Sequence, residues 1–97
     1  MPFFTKKRYV VTKFKGEDNP KTCLNQVVFQ DCAFSGCNLR ESTLEKCRFE
    51  GCQFCKCDLS LIKIPATVFK DVHFKECRLM GINWSDADWD SRSLLHI

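Results

Sequence analysis

From Leu24 to Trp89 every fifth residue is large and apolar: Leu24, Phe29, Phe34, Leu39, Leu44, Phe49, Phe54, Leu59, Ile64, Phe69, Phe74, Leu79, Trp84 and Trp89. Two positions before each of these centres stands a mostly small or medium, uncharged residue, among them Cys32, Cys37, Cys47, Cys52, Cys57 and Cys77. The other three positions hold all the charge of residues 22–91, eight Lys or Arg and ten Asp or Glu. A period of five matches neither the 3.6 of a helix nor the 2 of a simple strand. Two inward residues separated by one outward residue, then two more outward, predict a short extended piece followed by a turn. Repeated turns wind the chain into a coil that buries its inner face only by stacking on the next. Adjacent coils then lie about 4.8 Å apart, the strand spacing of a sheet.

Units such as Cys32-Ala33-Phe34-Ser35-Gly36, Cys37-Asn38-Leu39-Arg40-Glu41 and Cys57-Asp58-Leu59-Ser60-Leu61 resemble the A(D/N)LXX units of the pentapeptide-repeat family. The resemblance covers about three quarters of the chain and implies an all-β fold, a right-handed quadrilateral β-helix with four units per coil, here about three and a half coils. Four units per coil stack residues twenty apart, and the centres then sort into columns: Phe34, Phe54, Phe74; Leu39, Leu59, Leu79; Leu24, Leu44, Ile64, Trp84; and Phe29, Phe49, Phe69, Trp89. Two aliphatic and two aromatic columns emerge, and like rings can stack along the axis. Pro65 falls outward at a corner, where its missing N–H is tolerated.

Residues 1–21 read as a cap on the first coil, with net charge +4 and an irregular register. Tyr9 to Phe14 suggests one strand, and Gly16 to Pro20 a turn. A charged cap is what an open stack of strands needs against edge-to-edge pairing. Residues 92–97 read as a tail whose apolar residues leave the register and have no partner within the repeat.

Chemistry is sparse. Cys52, Cys55 and Cys57 contain a CxxC spacing that invites a metal reading. The register turns Cys52 and Cys57 inward and Cys55 outward, so packing is the better account, and no cofactor or metal is expected. Cys23 and Cys55 are the outward thiols. His73 falls on the surface, with no nucleophile placed to form a triad with it. The Lys6-Lys7-Arg8 cluster offers phosphate contacts, but a solvated cap explains it better, and direct nucleic-acid binding is not expected. No run of apolar residues is long enough to span a membrane. Eight cysteines without a secretory leader point to free thiols in the cytoplasm.

What remains for function is the surface. The face along the Phe29 column carries Asp31, Glu50, Asp71, Asp88 and Asp90 against Arg48 and Lys70, a balance of −3, while the other three faces together sum to +1. Segments such as Phe14-Lys15-Gly16-Glu17 and Cys47-Arg48-Phe49-Glu50-Gly51-Cys52 look Qnr-like. Within the family, the Qnr and MfpA groups bind type II topoisomerases as DNA mimics, so that resemblance implies DNA gyrase or topoisomerase IV as a partner. The whole chain is basic at +3, where a DNA mimic is strongly acidic. The primary expectation is therefore a non-enzymatic, rigid protein-interaction scaffold with an unknown protein partner, and topoisomerase modulation is the alternative. Trp84, Trp89, Leu94 and Leu95 stand at an apolar coil end that either joins a second copy as a homodimer or is covered by the tail.

Overall fold

The computed structural model describes residues 7–89 and 95–96. Its strands are β1 (Arg8–Val10), β2 (Lys13–Lys15), β3 (Cys23–Asn25), β4 (Val28–Gln30), β5 (Ala33–Ser35), β6 (Thr43–Glu45), β7 (Arg48–Glu50), β8 (Gln53–Cys55), β9 (Val68–Lys70), β10 (Val72–Lys75) and β11 (Leu95–His96). A single 3₁₀ turn spans Trp84–Asp86. Strands three residues long, separated by bends, are what a five-residue unit with two inward positions dictates.

The strands form parallel ladders, and each ladder is one wall of a four-sided β-helix. One aromatic wall is β1-β4-β7-β9, with Tyr9, Phe29, Phe49 and Phe69 in register. The second is β2-β5-β8-β10-β11, with Phe14, Phe34, Phe54 and Phe74 in register. The Leu24 wall pairs β3 with β6 and continues through a bridge from Thr43 to Lys63. On the Leu39 wall only bridges connect the coils, Asp18 to Asn38 to Asp58 to Arg78. The twenty-residue columns read from the sequence are thus the ladders of the fold.

Inside, the rings stack as the columns require. Phe34 and Phe54 lie 4.5 Å apart at 5°, and Phe29 and Phe49 lie 4.9 Å apart at 3°. Between the columns the contacts turn edge-on, Phe29 to Phe34 at 5.5 Å and 65°. Both are favourable aromatic arrangements, and burying each Phe contributes on the order of 2 kcal/mol. The interior is filled, and its void of about 10 Å³ leaves no internal ligand chamber.

The small inward slots have their own geometry. Each slot cysteine donates its thiol to two carbonyls, one two residues back and one a coil away: Cys52 to Glu50 at 3.5 Å and Phe29 at 3.3 Å, Cys57 to Cys55 and Phe34 at 3.4 Å each. Thr67 fills the same slot and donates its hydroxyl to the Leu44 carbonyl. A slot therefore suits a small residue with one donor, which accounts for the abundance of Cys there. Burial pushes the Cys32 and Cys47 thiols up and that of Cys52 up to about 12.

Corners recur every fifth residue from Val11 to Gly81, all with φ between 49° and 72°. Eleven of them are not glycine. Backbone bonds to the following coil hold this left-handed conformation, for example Asp31 N–H to the Glu50 carbonyl at 2.8 Å.

Two expectations need correction. Tyr9 to Phe14 is not one strand: it bends at Val11, φ 49°, into β1 and β2. A continuous strand would send residues 9 and 14 to opposite faces. The bend turns both inward, Tyr9 stacking on Phe29 at 5.3 Å and Phe14 on Phe34 at 4.8 Å. The tail is not without a partner either. Leu95 and His96 pair with Val72 and His73, extending the second aromatic wall by one strand.

Candidate interaction surface

The residues of the acidic row separate once their partners are seen. Asp31 and Asp71 occupy one corner column, with Gly51 between them. Asp31 leans over Gly51, where an added Cβ would come within 2.5 Å of its Oδ1. Asp71 accepts from His73 at 3.1 Å. Glu50 is drawn into a polar ladder instead. It accepts from Gln30 at 2.9 Å and lies 3.8 Å from both Arg48 and Lys70, while Arg8 donates to Gln30. The Gln30 hydrogen bond, opposed by partial burial and helped by Arg48, Lys70 and Arg8, holds its carboxyl below the ordinary range. Asp88 is exposed on the last coil. Asp90 lies outside the described residues. The exposed carboxylates are therefore Asp31, Asp88 and the His73-paired Asp71, with Glu50 as a neutralised centre.

At the C-terminal end the two tryptophans meet. Trp89 stacks on Phe69 at 5.9 Å and donates its indole N–H to the Trp84 carbonyl at 2.7 Å, yet remains 41% exposed. Trp84 lies edge-on to Phe69 and Phe74 and is half-buried. Leu95 lies in β11, paired with Val72, and Leu94 lies outside the described residues. Cys77, Leu79 and Ile82 are also only half-buried, since they belong to the last full coil.

The remaining chemistry is dispersed. Cys52 and Cys57 are buried and Cys55 is half-buried on the outer side, so the CxxC side chains do not converge. No cluster of three metal-binding side chains occurs among the described residues. Of the basic N-terminal cluster, Lys7 donates to the Asn25 carbonyl at 2.7 Å and Arg8 to Gln30, both serving the fold. Among the described residues no helix is long and apolar enough to cross a membrane.

Two features escape a reading of the sequence. Joining β2 to the second aromatic wall puts Lys13 and Lys15 on the same sheet as Lys75, beside the Lys56 corner. The signal was present in Tyr9 and Phe14, which keep the five-residue register. The other feature is a groove of about 580 Å³ at the corner between the Leu39 and Leu24 walls, with a notch of about 180 Å³ on the other side of Leu61. No spacing rule marks it, because it arises where short residues sit between long ones in the stacked columns: Ser60 between Arg40 and Met80, and Gly81 after Leu61.

A comparison with curated proteins finds no match. Among solved structures the chain is similar to full-length QnrB1, described as a plasmid-mediated fluoroquinolone resistance protein, with a TM-score of 0.43 and 16% identity over 93% of this chain and 55% of that one. It thus spans little more than half the length of that protein. The family model for the pentapeptide repeat region matches residues 12–96. With its five-residue register and parallel stacked walls, this chain belongs to the pentapeptide-repeat family.

Proposed function

We propose that the protein is a non-enzymatic scaffold that presents rigid walls to a protein partner in the cytoplasm. One observation carries this reading: the interior is fully committed, with no unsatisfied buried side-chain polar atom among the described residues, so the chemistry left over lies on outward positions held by backbone ladders. Its eight free cysteines fit a reducing compartment.

Asp31 and Asp71 on one corner, with Asp88 on the coil beyond, favour a second reading in which the acidic row engages a type II topoisomerase. The exposed Trp89 and half-buried Trp84 support a homodimer through the C-terminal coil, in which Leu94 and Leu95 would take part.

Two differently tagged copies expressed together and captured through one tag test the scaffold and the dimer. A specific protein enriched over a charge-matched folded control is the expected result, and its absence sinks the scaffold. Recovery of the second tag reports the dimer. The topoisomerase reading requires that the purified protein alter gyrase supercoiling or its fluoroquinolone sensitivity, and that Asp31→Asn with Asp71→Asn weaken the effect. No effect on either removes it.

A further inference from the structure

Leu61 stands where nothing in folding asks for a leucine. It is a corner residue with φ 61°, a conformation disfavoured for any side chain with a Cβ, and it is 43% exposed. Ten other non-glycine corners share this conformation, eight of them polar or charged, so what sets Leu61 apart from those eight is a large exposed apolar side chain at such a position. Met80, 74% exposed, lines the notch with it, and these are two of the few large apolar side chains exposed among the described residues. Leu61 lies flat over Gly81, since a Cβ on Gly81 would meet Leu61 Cδ2 at 2.4 Å. The result is an apolar ridge with a hollow on either side.

The charges around this ridge are unequal in availability. Arg40 and Arg78 line the notch and Lys63 lines the groove. None of the three forms an ion pair among the described residues. Each neighbouring acid has a hydrogen-bond or ion-pair partner, and the hydrogen bonds from neutral donors leave the carboxylates charged. Glu41 pairs with Lys21 at 3.7 Å, and Asp86 accepts from Asn83 at 3.4 Å. Asp58 accepts the Ser60 N–H at 3.1 Å. Against the upward pull of partial burial, the Ser60 bonds and the nearby Arg40 and Arg78 keep its carboxyl below the ordinary range. The notch is lined by two guanidiniums and no carboxylate, whereas in the groove Lys21 and Lys63 are balanced by Glu41 and Asp86.

We propose that this corner is a docking groove for an extended acidic segment of a partner protein, an apolar side chain of that segment seated against Leu61 and Met80 and its carboxylates on Arg40, Arg78 and Lys63. The two guanidiniums suit carboxylate recognition by paired N–H donors. The proposal rests on the scaffold reading and names the chemistry of the partner.

The test is titration of isotope-labelled full chain, followed by amide chemical shifts. The probes are a short capped peptide alternating glutamate and leucine, its lysine–leucine counterpart, and an oligothymidine. The acidic peptide is expected to shift the amides of Arg40, Leu61, Arg78, Met80 and Gly81 and to bind at least about tenfold more tightly than the lysine peptide. Leu61→Gly removes the ridge while suiting the corner conformation, and Arg40→Gln with Arg78→Gln removes the charge. Both are expected to abolish the shifts with the remaining spectrum unchanged. Equal response to both peptides, no response, shifts elsewhere, or shifts that survive these substitutions would overturn the proposal. Oligothymidine moving the same amides at lower concentration than the peptide also overturns it, in favour of nucleic acid. A partner captured equally by wild type and Leu61→Gly removes the groove and leaves the scaffold standing. Peptide binding without any captured partner does the reverse.

Discussion

The two aromatic walls of this solenoid differ from the Leu39 wall, and at Asn38 and Asp58 the difference is marked by the outward residue before the centre. On the aromatic walls the residue before the centre is Val28, Ala33, Arg48, Gln53, Val68 or His73, and the chain continues through the centre as a strand. On the Leu39 wall that residue is Asn38, Asp58 or Arg78, and the side chains of the first two accept the N–H two residues on, from Arg40 and Ser60, at 3.1 Å in each case. That bond bends the backbone into a turn. Leu39 to Ser42 and Leu59 to Ile62 close through N–H to carbonyl bonds of 3.1 and 3.4 Å, with positive φ at Glu41 and Leu61. This is type II turn geometry. Ile64 to Thr67 repeats it, with Pro65 at the position that prefers proline and Ala66 at φ 53°. Strand walls are flat and carry stacked rings. Turn walls are rounded and carry the groove around Leu61. The stacked rings and the groove thus lie on opposite sides of one coil.

The strongest test of that division lies in the core. Phe34 is buried, stacked on Phe14 at 4.8 Å and Phe54 at 4.5 Å, and edge-on to Phe29. Phe34→Ala is expected to cost about 3–5 kcal/mol, since it opens a cavity and breaks a ring ladder. Leu59→Ala, equally buried on a turn wall, is expected at the lower end of about 2–5 kcal/mol. Chemical denaturation of the two variants measures this. A larger loss for Leu59→Ala would contradict the claim that the aromatic side carries the stability.

The second test asks whether the slots differ as the walls do. Cys52 precedes an aromatic wall and Cys57 a turn wall, but both thiols donate to the same pair of carbonyl positions. Burial raises the Cys52 value from 9.0 to about 12, and the adjoining Cys37 thiol together with burial raises that of Cys57. A raised thiol pKa means the folded chain holds its proton more tightly. Its contribution is therefore complete below about pH 9 and is lost as pH rises towards about 12, at up to about 1.4 kcal/mol per pH unit for Cys52. Cys52→Ala should flatten that decline in an alkaline denaturation series, and an unchanged slope would refute it. At neutral pH the outer Cys23 and Cys55 should react first with a thiol reagent, and rapid labelling of the slot thiols would deny the common geometry.

How much of this was legible in the sequence follows from what each pattern encodes. The columns were legible because burial demands a large apolar side chain at every fifth residue and tolerates no slip. Even the wall types were written in Asn38, Asp58 and Pro65, in terms of turn chemistry rather than hydrophobicity. The first strands were misjudged because Lys7 and Glu17 occupy slots that elsewhere exclude charge. At the end of a stack such a slot lacks a covering coil and can remain wet. The fate of Glu50 was hidden, because a charge count assigns it to a face without showing that Gln30, Arg48 and Lys70 converge on it. The groove at Leu61 was hidden for a similar reason: it depends on which residues twenty apart are short.

The finest distinction lies at the corners joining the two kinds of wall. Gly36, Lys56 and Glu76 succeed one another at a single corner, with φ of 62°, 54° and 55°. An added Cβ at Gly36 meets no atom within 4 Å, so Gly36→Ala isolates the backbone cost of a left-handed residue, about 1 kcal/mol. Lys56→Gly releases a similar strain, but the freer unfolded chain takes back part of the gain, leaving a stabilisation below about 1 kcal/mol. Gly81→Ala should cost more than Gly36→Ala, because Leu61 must also move aside. Melting temperatures for the three variants rank these effects. If Gly36→Ala and Gly81→Ala were equal, Leu61 would not be held over Gly81, and the turn-wall corner would be only a bend like the others. If Gly81→Ala were the costlier, that corner is where side-chain placement, rather than backbone alone, shapes the outer surface.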